Sequence, residues 1–401
     1  MSSVNQRRLA PALAYVVALA PFSIDTYLPA IPQIAEDFAS DIQLIEASIS
    51  TFLLGLALGQ IIGAPMSDRM GRRPTAYRGL AIFVLASLGI FVCQSSEQLL
   101  VLRLVQAIGA GLTIVNINAV VSDIFEAQDV ARMFNTIALI LMTAPLIAPA
   151  FGAILLELLG WRSVFTFLAL YGVGAVAITA WLIPETVKRE KNSDSIPEIV
   201  GSALRSFKLV LSRAPAMGFT LCGGFSAGCM FVYLQDSAFV YMEVLGVSPS
   251  LFPVVFGANI AAMIGFNRLN RVLLKSYAPH QIVPWGCAIQ VSMCAIFLAT
   301  SLLLEPSLAI VMPLIMFGIG CVTIIIGNCM ACFLAYFPKN RGAASGVAGS
   351  IQFALGGLLG SATAIVHDGT LVTTSAGMLL SACISLAFLV GLARKFEPRE
   401  A

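Results

Sequence analysis

The segment APMSDRMGRRP, residues 64–74, decides the fold because of what surrounds it. It is a short charged stretch between two apolar stretches, residues 44–66 and 75–95. A bilayer core about 30 Å thick is crossed by a helix of about 20 apolar residues. The sequence therefore predicts two antiparallel membrane-spanning helices joined by a short charged loop.

The same pattern continues in both directions along the 401 residues. Twelve apolar stretches are long enough to cross a bilayer. They lie at 9–32, 44–66, 75–95, 99–123, 134–157, 163–184, 216–240, 250–267, 281–304, 308–332, 341–366 and 371–394. We predict an all-α polytopic membrane protein with twelve transmembrane helices in two six-helix bundles.

The composition supports this fold class. Hydrophobic residues make up 58% of the chain and charged residues 11%, against about 45–50% and about 25% in soluble proteins. An ordinary soluble enzyme is thereby excluded. The net charge of +2 is too balanced to indicate a nucleic-acid partner. Arg7 and Arg8 precede the first apolar run as in a signal peptide, but the run is long and has no small-residue cleavage site, so we interpret it as a spanning helix.

The basic residues are distributed unevenly over the predicted loops. With the N-terminus inside, 21 of the 23 Lys and Arg residues fall on cytoplasmic segments; Arg162 lies in an outer loop and Arg103 inside the fourth span. Cytoplasmic loops of membrane proteins carry such an excess. The first outer loop has acids without a basic partner: Glu36, Asp37, Asp41 and Glu46. We predict that both termini are cytoplasmic.

One long polar interval, beginning at residue 187, divides the spans into six and six. We predict an N-terminal bundle at 1–186, a cytoplasmic linker at 187–215 and a C-terminal bundle at 216–401. Equal halves of this kind are typical of transporters that rock two bundles about a central site. A weak internal echo agrees: the segment 68–72 after the second span is matched by 267–271 after the eighth.

Residues for cofactor chemistry are scarce. The two histidines, His280 and His367, lie in predicted loops, and the nine cysteines lie in apolar runs, where we interpret them as packing residues. No haem or zinc site can be built from them, and no G-x-x-x-x-G-K-[ST] motif is present. We expect neither cofactor nor metal, and we expect an ion gradient to supply the energy of any transport.

Segment 64–74 resembles the G-x-L-A-D-R-x-G-R-R signature of the major facilitator superfamily. The resemblance implies a conformational gating role for four residues of the segment: Asp68, Arg69, Gly71 and Arg72.

Two contacts would lock one conformation at this gate. We expect Asp68 to face a helix N-terminus, whose dipole favours an acid, and Arg72 to pair with Asp123 at the inner end of the fourth span. The alternative is a basic loop that sets only orientation, with Pro74 beginning the third helix.

Arg103 is a cation inside a predicted span. Residues 103–111, RLVQAIGAG, resemble the superfamily's R-x-x-Q-G-x-G-A pattern. A guanidinium in a bilayer has to find a partner or water, so Arg103 and the neighbouring Gln106 mark a polar pathway. Gly109 and Gly111 allow a neighbouring helix to approach closely.

Asp25 is the single acid of the first span. Its segment SIDTYLPAIP (23–32) is very similar to the D-x-Y-L-P-A-x-P of one group within the superfamily, the bicyclomycin and chloramphenicol resistance group of drug:proton antiporters. At about 1.5 Å per residue, Asp25 and Arg103 lie at matching depth. A carboxyl group in a low-dielectric medium holds a proton more tightly than in water, and a guanidinium beside it favours the charged form. Separating such a pair drives proton uptake, so we predict proton coupling through Asp25 and Arg103. The alternative is an acid that faces outer water.

The fifth span contains Ala144-Pro145-Leu-Ile-Ala148-Pro149-Ala150-Phe151-Gly152, which resembles the antiporter signature A-P-x-x-A-P-x-x-G-G. Proline and small residues permit a kink and close packing. The resemblance implies that Pro145, Pro149 and Gly152 belong to the conformational machinery.

Several polar or aromatic residues in the spans are candidate substrate contacts. Asp236 is either a second cavity acid or an outer-end acid in water. Asn116 either lines a cavity or bonds another helix, and Tyr27 offers a ring for a flat ligand. The predicted substrate-binding residues are Asp25, Tyr27, Gln106, Asn116 and Asp236.

The function expected from these features is secondary active efflux of an amphipathic drug in exchange for protons across the bacterial inner membrane. Within transport, the alternative is a proton-coupled importer of a small metabolite. A membrane-embedded enzyme would need a nucleophile–base pair or a metal cluster, and the sequence offers neither. A receptor would need a sizeable extramembrane domain, which the short loops do not provide. The expected partners are a small-molecule drug, protons and the lipid bilayer, and no nucleic acid is expected. We expect the chain to be a monomer.

Overall fold

The computed structural model describes residues 3–124, 133, 137, 143–187, 201, 208, 210–304, 307–337 and 341–393. Every regular element in these ranges is helical. The helices are α1 (Ser3–Val17), α2 (Leu19–Asp25), α3 (Ile31–Asp37), α4 (Ile42–Met70), α5 (Arg72–Phe91), α6 (Ser96–Ile124), α7 (Ala144–Leu159), α8 (Arg162–Leu182), α9 (Ala214–Ala238), α10 (Phe252–Leu273), α11 (Pro279–Leu303), α12 (Leu308–Ala335), α13 (Arg341–Ile365) and α14 (Leu371–Leu392). A 3-10 turn, Leu28–Ala30, precedes α3, and a π-helical segment, Phe239–Val244, continues α9.

Ten membrane-spanning helices lie in the described ranges, and a bent pair, Leu9–Val17 with Leu19–Asp37, adds an eleventh span if it is counted as one. The predicted fifth span is described mainly over α7, because most of residues 134–142 lie outside those ranges. The predicted fold class, an all-α polytopic membrane protein, is confirmed.

The first span differs from the continuous helix predicted at 9–32. The chain bends by 42° between Leu9–Val17 and Leu19–Asp37. Pro21 explains the first break, because proline has no N–H to donate to the carbonyl of Val17. The 3-10 turn that follows Asp25 contains Pro29. Asp25 therefore lies at the end of a helix rather than within one.

Two predicted helix ends were wrong. Segment 64–74 is almost entirely helical, and only Gly71 separates α4 from α5. The eighth span does not end at 267 but continues to Leu273, so Arg268 and Arg271 belong to its last turns. Long basic side chains at a helix end reach from the apolar layer into water. A helix can therefore continue past its last apolar residue, which the hydrophobic pattern alone does not show.

The chain divides into two compact units. Unit 1 consists of Met1–Ser40 and Thr51–Phe207, and unit 2 of Asp41–Ser50 and Lys208–Ala401. The first residues of α4 thus belong to unit 2. The predicted boundaries at 187 and 215 remain a prediction, since residues 188–200, 202–207 and 209 lie outside the described ranges.

Close helix crossings position α6 in unit 1. A Cβ at Gly109 would lie 2.5 Å from the carbonyl oxygen of Gly79 in α5, and a Cβ at Gly111 would lie 2.6 Å from that of Leu56 in α4. Only glycine permits these approaches, as predicted for Gly109 and Gly111. Two backbones thereby fix the position of the helix that carries Arg103.

The central helix of unit 2 is α9. Within the span Ala214–Val244, 83% of the apolar 18-residue stretch is buried, against 22% of that in Phe252–Leu273. Because α9 is rich in Gly, Ala, Ser and Cys, several helices pack closely around it. A polar side chain on α9 therefore meets protein rather than lipid.

Candidate functional site

The acid of the first span, Asp25, is 4% exposed and lies at the end of α2. In the described part of the chain, no hydrogen bond or ion pair involves its carboxyl group. The backbone turns tightly after it, where Tyr27 N–H donates to the Ile24 carbonyl and Ala30 N–H to that of Tyr27. The structure thus contains a buried, unpaired carboxyl group at a helix break, and the alternative of an acid in outer water is not what is observed.

Arg103 is fully buried on α6. Its Nη1 donates to the Ser23 carbonyl oxygen at 3.0 Å and to Gln106 Oε1 at 2.9 Å. Its guanidinium carbon lies 4.4 Å from the ring centroid of Phe52 and 4.7 Å from that of Tyr27. Aromatic faces attract a desolvated cation, so this cage holds the charge inside the unit.

The predicted pairing of Arg103 with Asp25 is not present as an ion pair. Arg103 does lie beside this part of the first span, because its Nη1 donates to the carbonyl of Ser23, two residues before Asp25. The guanidinium is instead held by one carbonyl, one amide and aromatic rings, and its Nε and Nη2 have no hydrogen-bond partner in the described ranges. The coupling role of the two residues remains a prediction.

Gln106 links Arg103 to a third helix. Its Nε2 donates to Ser87 Oγ on α5 at 2.7 Å, and that hydroxyl donates to the Phe83 carbonyl. A continuous polar chain therefore runs from the first span through α6 to α5. Gln106 is fully buried within it, so its observed role is to orient Arg103.

Asn116 is buried further along α6. Its Nδ2 donates to the carbonyls of Leu112 and Thr113 in its own helix, and its Oδ1 has no hydrogen-bond partner in the described ranges. The predicted alternative in which Asn116 bonds another helix is therefore not observed. Asn259 in unit 2 does bond other segments, donating to the hydroxyls of Tyr233 and Tyr241.

The predicted gate contains an ion-pair cluster around Arg72. Its Nη1 lies 2.5 Å from Asp68 Oδ1, and its Nε lies 3.1 Å from Asp123 Oδ2. The Arg72 side chain is 9% exposed, whereas that of Asp68 is 68% exposed and that of Asp123 31%. Water screens the ion pair with Asp68 most strongly. The ion pair with Asp123, which joins α5 to α6, is therefore the stronger of the two.

Gly71 and Arg69 complete the predicted motif. Gly71 has a φ of 102°, a region that favours glycine, and it alone reverses the chain between α4 and α5. Arg69 lies in the last turn of α4, where a cation is favoured by the helix dipole. The role of Asp68 opposite a helix N-terminus remains a prediction.

Glu185 is a residue of this cluster that the sequence analysis missed. Its carboxylate accepts the backbone N–H groups of Arg72 and Arg73, each at 2.9 Å, at the N-terminus of α5. Next to it, Thr186 Oγ1 donates to Asp123 Oδ2 at 2.5 Å. The signal in the sequence is an acid directly after a span, beside Pro184, although its partner more than a hundred residues away cannot be read from spacing.

Replacing Glu185 with glutamine is expected to destabilise unit 1 by about 0.5–1 kcal/mol, because a carboxylate capping a helix N-terminus contributes about that much. The midpoint of thermal unfolding in detergent measures the change. Glu157→Gln, which alters an exposed acid on α7, is the control and should leave the midpoint unchanged. Equal midpoints for the two variants would contradict a capping role.

The antiporter-like segment of the fifth span packs against the break at Asp25. Pro145 lies in the first turn of α7 and Pro149 inside it. Gly152 contacts the carbonyl group of Thr26 so closely that a Cβ there would overlap its oxygen. The residue after the acid is thus held directly by the motif that the sequence indicated.

Gly152→Ala is expected to force α7 away from the break, with a loss of about 1–3 kcal/mol in stability as in other overpacked sites. The measurement is thermal unfolding together with drug export. Gly265→Ala is the matched control, because a Cβ at Gly265 meets nothing within 4 Å. If Gly152→Ala and Gly265→Ala have the same unfolding midpoint and the same export rate, close packing of Gly152 on Thr26 is contradicted.

Two expectations about the first outer loop were wrong. Asp37 has a basic partner, since Arg162 Nη1 lies 2.9 Å from its Oδ2, and Trp161 Nε1 donates to the same oxygen at 2.7 Å. Glu46 does not lie in the loop but in α4, where it is 1% exposed. Only position in the tertiary structure distinguishes these acids from Glu36 and Asp41.

Asp236 is a buried acid on α9, 1% exposed. Its Oδ2 accepts a hydrogen bond from Thr374 Oγ1 at 2.7 Å. Of the two interpretations of Asp236, the acid in outer water is therefore not observed. Asp236 is an interior acid of unit 2.

A polytopic helical protein with a caged arginine, an unpaired carboxyl group at a helix break and an ion-pair cluster at one end of a unit belongs to the class of membrane transporters rather than enzymes. The sequence profile of the Major Facilitator Superfamily matches residues 13–361. The chain belongs to this family.

Relatives and solved structures agree with this assignment. The chain is 28% identical over 379 residues to a bicyclomycin resistance protein homolog of Haemophilus influenzae, covering 94% of this chain and 93% of the relative. It is 29% identical over 404 residues to a chloramphenicol resistance protein of Pseudomonas aeruginosa, covering 97% and 92%.

Among solved structures, the xylose transporter XylE from E. coli has a TM-score of 0.75 at 11% identity, covering 97% of this chain and 98% of that chain. The human organic anion transporter MFSD10 has a TM-score of 0.71 at 15% identity, covering 97% and 99%. At these identities the likeness shows the fold alone.

Proposed function

We propose that this chain is a secondary active exporter that exchanges an amphipathic drug for protons by alternating access. The observation that carries the proposal is the buried, unpaired carboxyl group of Asp25 at the break of the first span. The names of the resistance-protein relatives support a drug as the substrate. The bacterial inner membrane, with both termini in the cytoplasm and the chain as a monomer, is part of the proposal.

The proposed coupling depends on what a buried carboxyl group tolerates. An isolated carboxylate is costly in an apolar medium unless it is paired. Asp25 therefore binds a proton while it is enclosed and releases it where water or a cationic group of the substrate compensates the charge. Arg103 keeps the surrounding backbone in place through Ser23.

The proposed cycle uses the remaining predicted residues in two roles. Tyr27, Gln106, Asn116 and Asp236 are substrate contacts that become accessible when the transporter opens, since all are buried in this structure. Arg72, held by Asp68 and Asp123, locks one conformation, and its release accompanies opening. Arg69 and Gly71 belong to this gate. Pro145, Pro149 and Gly152 couple the motion of α7 to the break at Asp25.

A drug-susceptibility panel in a pump-deficient bacterial host tests the proposal. Expression of the chain should raise the inhibitory concentration of at least one amphipathic drug, with chloramphenicol and bicyclomycin included as probes. An Asp25→Asn variant, expressed at equal level, should give no protection. If no compound is tolerated better while a small metabolite is accumulated with protons, the chain is an importer and the proposal is wrong.

A further inference from the structure

Glu46 is a buried acid that the proposed mechanism does not use. It lies near the start of α4, within unit 2, and is 1% exposed. Its Oε1 accepts the backbone N–H of Phe239 at 3.0 Å. Its Oε2 is buried and has no hydrogen-bond partner in the described ranges.

A polar network connects the turn after Glu46 to Asp236. Ser50, one helical turn further along α4, donates its hydroxyl to Gln235 Oε1. Gln235 Nε2 donates to the Gly360 carbonyl at 2.8 Å, and the neighbouring Asp236 accepts from Thr374. Segments from α4, α9, α13 and α14 thus meet at these groups, all inside unit 2.

The charges around Glu46 are unbalanced. Two further acids lie on the segment that contacts Glu46: Asp236, three residues before Phe239, and Glu243, four residues after it. None of the ion pairs found between described residues involves Glu46 or Asp236.

His367, whose ring lies 4.6 Å from that of Phe239, does not supply the missing positive charge. Burial lowers the pKa of this loop histidine, and its Nδ1 accepts the N–H of Gly369. Its imidazole is therefore neutral at pH 7.

Two buried carboxyl groups without a cation cannot both be ionised at an acceptable free energy. Buried acids that interact titrate as a coupled pair rather than singly. Glu46 has one oxygen held by a backbone N–H and the other unpartnered. It therefore has the features of a proton-binding group.

We propose that Glu46 and Asp236 form a second proton-binding site of this transporter, in unit 2 and additional to Asp25. In the enclosed state described here the site takes a proton rather than an organic cation, because both acids are 1% exposed. This inference rests on the proposed proton antiport and extends it: the chain binds one proton at Asp25 and another at the Glu46–Asp236 site.

The test is infrared difference spectroscopy of the purified chain in liposomes, between about pH 5 and about pH 9, a range that covers shifted carboxyl groups. Protonated carboxyl groups absorb in the C=O stretching region apart from carboxylates. Glu46→Gln and Asp236→Asn should each remove or shift the same titrating C=O band. Glu157→Gln, which alters an exposed acid on α7 of unit 1, is the control and should leave that band unchanged.

Asp25→Asn separates this inference from the proposed function. It should remove a different C=O band and leave the Glu46–Asp236 band in place. If Glu46→Gln and Asp236→Asn give the wild-type spectrum, the second site is wrong even when Asp25 titrates. If the wild-type spectrum contains the Glu46–Asp236 band but no band that Asp25→Asn removes, the proposed coupling at Asp25 is wrong while the second site stands.

Discussion

Asp25→Asn is expected to abolish proton-driven export while leaving the protein folded. Asparagine has nearly the same shape, and the carboxyl group that it replaces has no hydrogen bond or ion pair in the described ranges. Folding therefore loses little, whereas the site loses the group that exchanges a proton. Export driven by a pH gradient should fall to background, and drug binding to the detergent-purified variant should remain.

The matched control for Asp25 is Glu36→Gln, which neutralises an exposed acid on α3 of the same bent span. This control should export at the wild-type rate. If Asp25→Asn also exports fully against a drug gradient, Asp25 does not carry the coupling. Loss of folded protein in Asp25→Asn would instead show that the carboxyl group has a structural partner.

Arg103→Ala is expected to be the most damaging single substitution in unit 1. It leaves the Ser23 carbonyl and the Gln106 amide without their buried donor, at about 1–3 kcal/mol for each unsatisfied group. It also removes the cation from the aromatic rings of Tyr27 and Phe52, where a desolvated contact contributes about 2 kcal/mol. Both the unfolding temperature and export should fall sharply.

Arg103→Lys separates the charge of Arg103 from its geometry. Lysine keeps the cation, but its ammonium group lacks the planar guanidinium that lies near the rings of Tyr27 and Phe52 while Nη1 bonds Ser23 and Gln106. We expect the stability and export of Arg103→Lys to lie between wild type and Arg103→Ala. Intact activity in both variants would mean that Arg103 serves only to orient the first half of the chain in the membrane.

The fold could be predicted from the sequence because it follows from span length and from the positions of basic residues. That Arg103 lies beside this part of the first span could be predicted in the same way, since the rise of a helix is fixed. The contact of Arg72 with Asp123 followed from the resemblance of segment 64–74 to a known signature.

The parts of the site that depend on three-dimensional packing could not be predicted. The rings of Tyr27 and Phe52 around Arg103 come from two different spans, and no spacing along the chain relates one to the other. Glu46 resembled a loop acid because its burial depends on residues near Phe239, far along the chain. The pair of Asp37 with Arg162 was missed for the same reason.

The central claim is that movement of a drug through this chain is coupled to a proton moving the opposite way. It is tested most directly in inverted membrane vesicles whose interior has been acidified, with a pH-sensitive dye reporting the gradient. Adding a drug from the panel should partly dissipate the gradient in vesicles with the wild-type chain and not in vesicles with Asp25→Asn. A drug that moves equally well with and without the pH gradient, and leaves the gradient intact, would contradict the claim.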